Sequence, residues 1–227
     1  MNVAIITAGG VGNRMESKIP KQFLKVLDKP LIVYTIEKFQ ENNSIDAICI
    51  ACLEGYEDYF LNLKKKYQLT KIKWLCKNGN SQPGSIYNCI KTLENEITDD
   101  SIIIIHAGNR PLISKKIIDN SIYECINNGN AVTYIPCPEV IVKKSTNEII
   151  ERTDVMRIQT PQTFFLKDLV KCYSNFLDKK YSNVSTTCDF MLRLGYKINF
   201  IDGEVCNFKI TYPDDLKIFE SIIKKQR

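Results

Sequence analysis

The sequence predicts an α/β fold built on a doubly wound, mostly parallel sheet, and three observations predict it. Short strand-like segments alternate along the chain with segments whose apolar residues recur at helical spacing. The run SIIIIH at 101–106 shows no polar alternation, which is typical of a central parallel strand buried on both faces. The length of 227 residues suits one domain of this class, and we expect residues 1–227 to form it.

The individual elements follow in chain order from the same patterns. Strands are predicted at 2–7, 45–53, 71–76, 101–106, 131–136 and 197–202. Helices are predicted at 30–42, 56–67, 113–129, about 166–176 and about 187–194. Another helix is predicted from the helical spacing of Ile86, Cys89, Ile90 and Leu93. Ser114 is the expected N-cap of the helix at 113–129, and the last helix is expected from Thr211 onward, with Thr211 and Asp214 forming its cap. Residues 78–85 read as a turn-rich loop, and 139–153 as two short strands around the turn STN.

Composition narrows the function classes. The net charge of +5 is mildly basic, which suits a phosphorylated substrate but lacks the dense basic stripe of nucleic-acid binders. No uninterrupted apolar stretch is long enough to span a membrane, and MNVAIITAGG reads as a first strand rather than a signal peptide. The nine cysteines are scattered, and Cys49 and Cys52 should face opposite sides of a strand. We therefore expect buried thiols in a reducing cytoplasm.

The loop AGGVGNRMESKIPK at 8–21 follows the first predicted strand. It is neither a P-loop nor a dinucleotide fingerprint, because Met15 stands where the third glycine would be. Its glycines alone would also fit a tight strand-to-helix turn. However, bare backbone can approach an anion closely, and Arg14 and Lys21 add fixed positive charge, with Pro20 stiffening the chain before Lys21. This combination predicts a triphosphate site, where transfer chemistry depends on positioning and charge neutralisation.

This loop resembles the signature loop of the cytidylyltransferases that make CDP-alditols, namely the 2-C-methyl-D-erythritol 4-phosphate and ribitol-5-phosphate cytidylyltransferases. The resemblance continues through KQFLKVLDKPLIVYTIEKF, GNRP, TPQTF and FKITYPDDL, and so covers nearly the whole chain. It implies a Rossmann-like sheet of the nucleotide-diphospho-sugar transferase type. It also implies a protruding β-arm, here at about 137–156, that helps form a homodimer. The implied reaction joins CTP to an alditol phosphate and releases pyrophosphate, with Mg²⁺ accompanying CTP.

The resemblance assigns roles to individual residues. The implied catalytic residues are Arg14, Lys21 and Lys209, which would hold the triphosphate and stabilise the crowded transition state; Lys209 could otherwise be a lysine at a strand end. The implied nucleotide-binding residues are Ala8, Gly9, Gly10, Gly12, Gly79, Asn80 and Ser85; Ser85 could also cap a helix. The resemblance assigns no residue of this chain as a metal ligand.

Arginine and histidine positions complete the implied site. Arg152 lies eight residues before Thr160, as does a family arginine that binds the substrate phosphate, and Arg157 is the nearby alternative. Arg110 is expected to support the loop after the central strand and the substrate. His106 is the single histidine, and we expect it to be structural because a phosphate nucleophile is already ionised.

The sequence departs from the family pattern at several positions. Ala107 replaces an acid near the metal, Gln82 replaces a loop arginine, and Val140 replaces a threonine on the arm. Ser185 and Thr186 replace a Thr-Asp pair, leaving Asp189 as a candidate stand-in. Cys206 stands where some relatives carry an acid.

Several functions therefore stay open. The first is an active cytidylyltransferase of the ribitol-phosphate branch, which serves cell-wall or capsule biosynthesis, and the second belongs to the methylerythritol branch of isoprenoid biosynthesis. The other two are a nucleotide-binding or scaffold protein without activity and a sugar-1-phosphate nucleotidyltransferase that uses another NTP.

Overall fold

The computed structural model describes residues 1–10, 19–178, 181 and 183–226. Seven strands form the main sheet in the order β11-β7-β10-β6-β1-β4-β5. Their bounds are β1 Asn2–Ala8, β4 Ala47–Cys52, β5 Ile72–Lys77, β6 Ile102–Ala107, β7 Asn130–Pro136, β10 Met156–Phe165 and β11 Phe200–Asp202. A small hairpin of β2 Lys25–Val26 and β3 Lys29–Pro30 precedes the first helix. The predicted α/β fold is thus confirmed.

The sheet is mostly parallel, with β6 as its central strand. β1 pairs in parallel with β4 and β6, β4 with β5, and β7 with β11. All six residues of β6 are buried, as the isoleucine run predicts for a strand covered on both faces.

Strand β10 was not predicted. It pairs antiparallel with β6 on one side and with β7 on the other. Its buried half carries polar residues, including Thr160, Gln162 and Thr163, so an apolar periodicity is missing. Pro161 adds a second misleading signal, because proline cannot donate a ladder hydrogen bond. Tertiary pairing holds this segment in the sheet.

Seven helices cover the sheet in the described part of the chain. They are α1 Leu31–Gln40, α2 Glu57–Lys66, α3 Gln82–Leu93, α4 Lys115–Asn128, α5 Leu166–Tyr173, α6 Thr187–Arg193 and α7 Pro213–Gln226. Ser114 caps α4 as predicted, accepting from the N–H of Ile117 at 3.2 Å. No helix among the described residues is both long and apolar enough to cross a bilayer.

Two predicted helix starts are wrong. Helix α3 begins within the predicted loop, and Ser81 caps it rather than Ser85. At α7, the Thr211 hydroxyl donates to Lys209 O, while Asp215 Oδ2 accepts from the N–H groups of Thr211 and Tyr212. The acid at 215 therefore does the capping that was assigned to Thr211 and Asp214.

The predicted arm is present as a separate two-stranded sheet. β8 Ile141–Lys143 pairs antiparallel with β9 Glu148–Ile150 around the predicted turn. Val140, Val142 and Ile149 on this arm are more than half exposed. The arm therefore presents apolar side chains that this chain does not bury.

Two apolar cores lie on opposite faces of the sheet. Cys52 belongs to one core, with Phe60 and Ile104, and Cys49 belongs to the other, with Phe164. The predicted opposite orientation of these two cysteines is confirmed. All nine cysteines are free thiols, and only Cys206 is exposed.

Candidate active site

A cleft of about 280 Å³ opens at the carboxyl ends of β1, β5 and β6. This is the edge at which doubly wound sheets bind ligands. We call it the glycine cleft; it is lined by Thr7, Ala8, Gly9, Gly10, Lys21, Gln22, Gly79, Asn80, Ser81, Gln82, Ser85, Ala107, Asn109 and Lys209. Most of the residues predicted for the nucleotide and for catalysis therefore meet here, from four distant parts of the sequence. Gly12 and Arg14 lie outside the described residues.

One wall of the glycine cleft is the turn between β5 and α3. Ser85 Oγ accepts from the Gly79 N–H at 3.1 Å and donates to Ser81 O at 2.9 Å. A Cβ at Gly79 would lie 2.5 Å from the carbonyl carbon of Gly84, so only glycine lets these two backbones touch. The Gly79 N–H is thus engaged within the turn, and Asn80 and Ser81 present the exposed polar groups.

The opposite wall is the end of β1. It is held by Gln22, a residue that the sequence analysis did not single out. The buried Gln22 donates through Nε2 to Ala8 O at 2.7 Å. A Cβ at Gly9 would lie 2.5 Å from Cβ of Asn78, so the two walls are in direct contact. The proximity of Gln22 to Lys21 was the only signal available from the sequence.

Two lysines reach the glycine cleft from remote segments. Lys21 Nζ donates to Ile210 O at 3.4 Å, which places its charge beside the segment that carries Lys209. Asn109, which is buried and was not predicted, fixes that segment: its Nδ2 donates to Ile210 O at 2.6 Å, and its carbonyl accepts from the Ile210 N–H at 2.9 Å. The arrangement concentrates positive charge where an anionic ligand would enter.

A second cavity of about 500 Å³ adjoins the glycine cleft, since Lys209 lines both. We call it the arginine cavity because Arg110 and Arg157 line it, together with apolar residues that include Ile135 and Phe208. Burial and, to a smaller extent, the charge of Arg157 lower the pKa of Arg110 to about 10. Arg110 nevertheless stays protonated at neutral pH, and its buried Nε has no hydrogen-bond partner among the described residues. The two like charges favour an anion in this cavity, which Asp215 also lines and where Arg157 lies 3.8 Å from Glu139.

Arg152 reaches neither cavity within one chain. It lies at the base of the arm, is exposed, and donates through Nη1 to Pro138 O at 3.1 Å. It lines a separate surface cavity with Tyr134 and Met156. The predicted substrate arginine is thus apart from the other predicted residues, whereas the alternative, Arg157, lies with Arg110.

His106 is fully buried on β6, and burial lowers its pKa to about 3. Nε2 lies 3.1 Å from Arg110 O, a carbonyl that can only accept, so Nε2 carries the proton. Nδ1 then accepts from Thr160 Oγ1 at 3.1 Å, while Thr160 Oγ1 accepts from the Ala107 N–H at 3.3 Å. This neutral histidine ties β6 to β10 and to the loop after β6, as a structural residue does.

The departures from the family pattern occupy different places. Ala107 and Gln82 line the glycine cleft, whereas Val140 is 67 % exposed on the arm. Asp189 supports the start of α6, which Thr186 caps: its Oδ2 accepts from the Ser185 N–H, and its carboxylate pairs with Arg193. The described residues that line the glycine cleft offer hydroxyl, amide and backbone oxygens but no carboxylate. Protein-held Mg²⁺ normally uses at least one carboxylate, so this donor set does not fit a magnesium ion held by the protein.

Comparison with known proteins places this geometry in context. The family model described as 2-C-methyl-D-erythritol 4-phosphate cytidylyltransferase (IspD) matches residues 2–225. A ribitol-5-phosphate cytidylyltransferase of Vibrio parahaemolyticus is 37% identical over 100% of this chain and 97% of its own length. One of Lacticaseibacillus paracasei is 34% identical over 100% and 99%. The crystal structure of a 4-diphosphocytidyl-2C-methyl-D-erythritol synthase from Anaerococcus prevotii superposes with a TM-score of 0.80 at 23% identity, covering 99% of this chain and 96% of that one.

Proposed function

We propose that this chain, which belongs to the 2-C-methyl-D-erythritol 4-phosphate cytidylyltransferase (IspD) family, transfers CMP from CTP to ribitol 5-phosphate or a close alditol phosphate. The observation that carries the proposal is the convergence of Lys21 and Lys209 on a glycine-lined cleft that adjoins a second cationic cavity. The acceptor is taken from the relatives at 34% to 37% identity over their full length, which are named for ribitol 5-phosphate.

CTP occupies the glycine cleft in this proposal. Its triphosphate lies against the backbone of residues 8–10 and beside Lys21, where bare backbone allows close approach. Its base lies against the turn between β5 and α3, where Asn80, Ser81 and Gln82 offer polar groups to the cytosine edge. The tight contact of Gly79 with Gly84 holds that turn in shape before the ligand arrives.

The acceptor phosphate occupies the arginine cavity. An anion there relieves the repulsion between Arg110 and Arg157. Because Lys209 lines both cavities, it stands beside the acceptor phosphate and the α-phosphorus of CTP together.

The transfer is then an in-line displacement. An oxygen of the acceptor phosphate forms the new bond to the α-phosphorus, and the bond from that phosphorus to the bridging oxygen breaks, so that pyrophosphate leaves. The nucleophile is ionised at neutral pH, and no base is needed; the buried, neutral His106 takes no proton. Lys21 and Lys209 stabilise the negative charge that accumulates in the transition state, which is usually the largest catalytic term. Mg²⁺ bound to CTP would neutralise part of the phosphate charge, and the described residues of the cleft supply no carboxylate to hold it.

The active unit is proposed to be a homodimer formed through the arm. Val140, Val142 and Ile149 are exposed apolar side chains on the arm, and a second copy would cover them. Arg152, at the base of the same arm, would then supply positive charge to the arginine cavity of the partner, which explains why it reaches neither the glycine cleft nor the arginine cavity of its own chain. The free cysteines suit a reducing cytoplasm, and the product would serve cell-wall or capsule polymers.

The test is pyrophosphate release with Mg²⁺, using CTP and either ribitol 5-phosphate or 2-C-methyl-D-erythritol 4-phosphate. We expect release with CTP and ribitol 5-phosphate, and a loss of about 10²–10³-fold in kcat/KM for Lys209→Ala, because a donor to transition-state charge is removed. Lys91→Ala, on the far end of α3 and paired with Glu94, is the matched control and should leave the rate unchanged. Turnover of methylerythritol phosphate alone would move the chain to the other branch.

A second candidate, a nucleotide-binding protein without transfer activity, is favoured by one observation: Ala107 leaves the described cleft without an acid. Binding of CTP by calorimetry together with silence toward every acceptor would support this candidate. Release driven by ATP or dTTP rather than CTP would instead contradict the proposed nucleotide specificity.

A further inference from the structure

Three cysteine thiols lie together in the core beside the glycine cleft. Cys49 on β4, Cys76 on β5 and Cys89 on α3 place their Sγ atoms within 4.8 Å of one another, and the Cys49 and Cys76 sulfurs are 3.5 Å apart. Cys49 and Cys89 are fully buried, and Cys76 is 6% exposed. We call these residues the thiol triad. The proposed transfer mechanism involves none of these three thiols.

The fold preassembles the triad. The Cys76 thiol donates to Thr92 Oγ1 at 3.4 Å, and Thr92 in turn donates to Asn88 O, so this pair of contacts orients the Cys76 sulfur. The surrounding core residues, including Val3, Ile86 and Ile90, are apolar. A ligand that leaves net charge here would pay a large desolvation cost. The site therefore selects a thiophilic centre that bonds three sulfurs and leaves no net charge.

That requirement decides among thiophilic ions. Zn²⁺ held by three thiolates would carry net negative charge, and no fourth cysteine, histidine or carboxylate joins the triad among the described residues, so water would have to complete its coordination inside an apolar core. A monovalent soft cation held by three thiolates would carry net negative charge into an apolar core. Trivalent arsenic takes three thiolates in a pyramidal, neutral product, which matches both the number of ligands and the lack of charge.

We propose that Cys49, Cys76 and Cys89 form a binding site for trivalent arsenic. Arsenous acid, As(OH)₃, reacts with the three thiols: each As–O bond is replaced by an As–S bond, and each thiol proton leaves with a hydroxyl group as water. Arsenic stays in the trivalent state throughout, and no electron acceptor is needed. The product ties β4, β5 and α3 to one atom.

The position of the triad links it to the glycine cleft. Cys76 precedes Asn78 by two residues, and the Asn78 N–H donates to Cys52 O at the end of β4. Cys89 lies one helical turn beyond Ser85, whose hydroxyl holds Gly79. The elements that carry the thiols, β4, β5 and α3, thus hold the turn between β5 and α3 that forms one wall of the glycine cleft. Arsenic bound at the triad fixes the spacing between them.

The experiment uses the full-length protein incubated with arsenite under reducing, thiol-free conditions, followed by native mass spectrometry. A three-thiol adduct adds one arsenic and loses three hydrogens, whereas a two-thiol adduct keeps one hydroxyl on arsenic and is heavier by one water. We expect the three-thiol mass. Trp74, the single tryptophan, lies on β5 and packs against the core that contains the triad, so its fluorescence reports the same event.

Access sets the rate of this reaction. Because the thiols are buried, arsenite enters only when α3 separates locally from the sheet, and we expect slow binding that mild urea accelerates. Absence of the three-thiol adduct in urea just below the unfolding transition would overturn the proposal. So would tight binding of Zn²⁺ under conditions in which arsenite does not bind.

Variants localise the site. Cys49→Ala and Cys89→Ala should each abolish the three-thiol mass and weaken arsenite binding at least about tenfold, while Cys52→Ala, on the same strand but the other face, should change neither. If a triad variant fails to fold, the adduct mass and the Trp74 response of the unmodified chain still decide the matter. A three-thiol adduct that persists in Cys89→Ala would overturn the assignment to this triad. These outcomes do not depend on turnover of CTP, so they stand apart from the test of the proposed function.

Discussion

The glycine cleft and the arginine cavity lie side by side, yet they are built in different ways. The glycine cleft is formed by strand ends and by turns that hydrogen bonds lock within one chain, such as Ser85 on Gly79 and Gln22 on Ala8. The arginine cavity is larger, and it is lined by the like charges of Arg110 and Arg157. The described part of the glycine cleft is built within one chain, whereas the arginine cavity brings two like charges together. Under the proposed function, we expect nucleotide binding to need a single chain and acceptor binding to depend on the proposed dimer.

The largest expected effect comes from removing the arginine that one chain is proposed to supply to the arginine cavity of its partner. Arg152→Ala removes a charged hydrogen-bond donor proposed to act across the dimer, and should raise the KM for the alditol phosphate about tenfold or more without changing that for CTP. Arg157→Ala, in the arginine cavity itself, is the matched variant.

Mixed dimers then show which arginine acts in trans. Coexpression of Arg152→Ala with Lys209→Ala chains should restore activity toward about a quarter of the unmodified level, since half the dimers are mixed and each has one intact site of two. The same mixture with Arg157→Ala should restore none, because Arg157 and Lys209 line one cavity of one chain. Restoration in both mixtures, or in neither, would contradict the proposed division.

A smaller perturbation tests the rigidity of the glycine cleft. Gly79→Ala places a Cβ against the Gly84 backbone and should lower the free energy of unfolding by about 1–3 kcal/mol, the usual cost of overpacking, with weaker CTP binding. Gly10→Ala is the control for stability, because a Cβ there meets nothing within 4 Å. Urea denaturation measures both variants, and equal losses would refute the proposed role of the Gly79–Gly84 contact.

The smallest expected effect concerns His106, which joins β6 to β10 and to the loop after β6. The pKa of His106 falls from 6.5 to about 3 on folding because burial disfavours the charged form. The unfolded chain therefore binds a proton that the folded chain does not, so stability is complete above pH 6.5 and is lost as pH falls toward 3. Between pH 7.5 and 5.5 the loss should be about 1.4 kcal/mol.

His106→Gln supplies the reference for this measurement. Glutamine keeps a donor for Arg110 O but does not titrate, so its unfolding free energy should fall less over the same pH interval by that amount. No other histidine contributes, since the chain has one. An identical pH dependence in the two proteins would show that His106 is not neutral in the folded state.

Much of the fold was predictable because its signals are local. The isoleucine run of β6, the cap at Ser114 and the hairpin of the arm each depend on residues a few positions apart, and each prediction is confirmed. Strand β10 was missed because its buried half is polar and contains a proline, and its place is set by partners twenty or more residues away. The cap of α7 was misassigned because the Thr211 hydroxyl turns back to Lys209 O, while Asp215 accepts from the N–H groups of Thr211 and Tyr212.

The residues of the candidate site also divide into those with a local sequence signal and those placed by distant contacts. Glycines, lysines and the serine at 85 were recognisable as motif residues, and the structure gathers those that it describes into one cleft. Gln22 and Asn109 were not recognisable, because a buried amide that supports a loop has no sequence pattern of its own. The predicted catalytic and binding roles themselves stay predictions that the proposed experiments address.

The sequence by itself determined the α/β class, the alternation of strands and helices, the opposite faces of Cys49 and Cys52, and the family to which the chain belongs. These features depend on periodicity and on short motifs, which are written along the chain. Only the tertiary structure decided that Lys21 and Lys209 share a cleft, that Arg152 stands apart from Arg110, and that three cysteines from separate elements meet. Such contacts arise from the packing of distant segments, and the free energy that selects them comes from the whole core rather than from any local pattern.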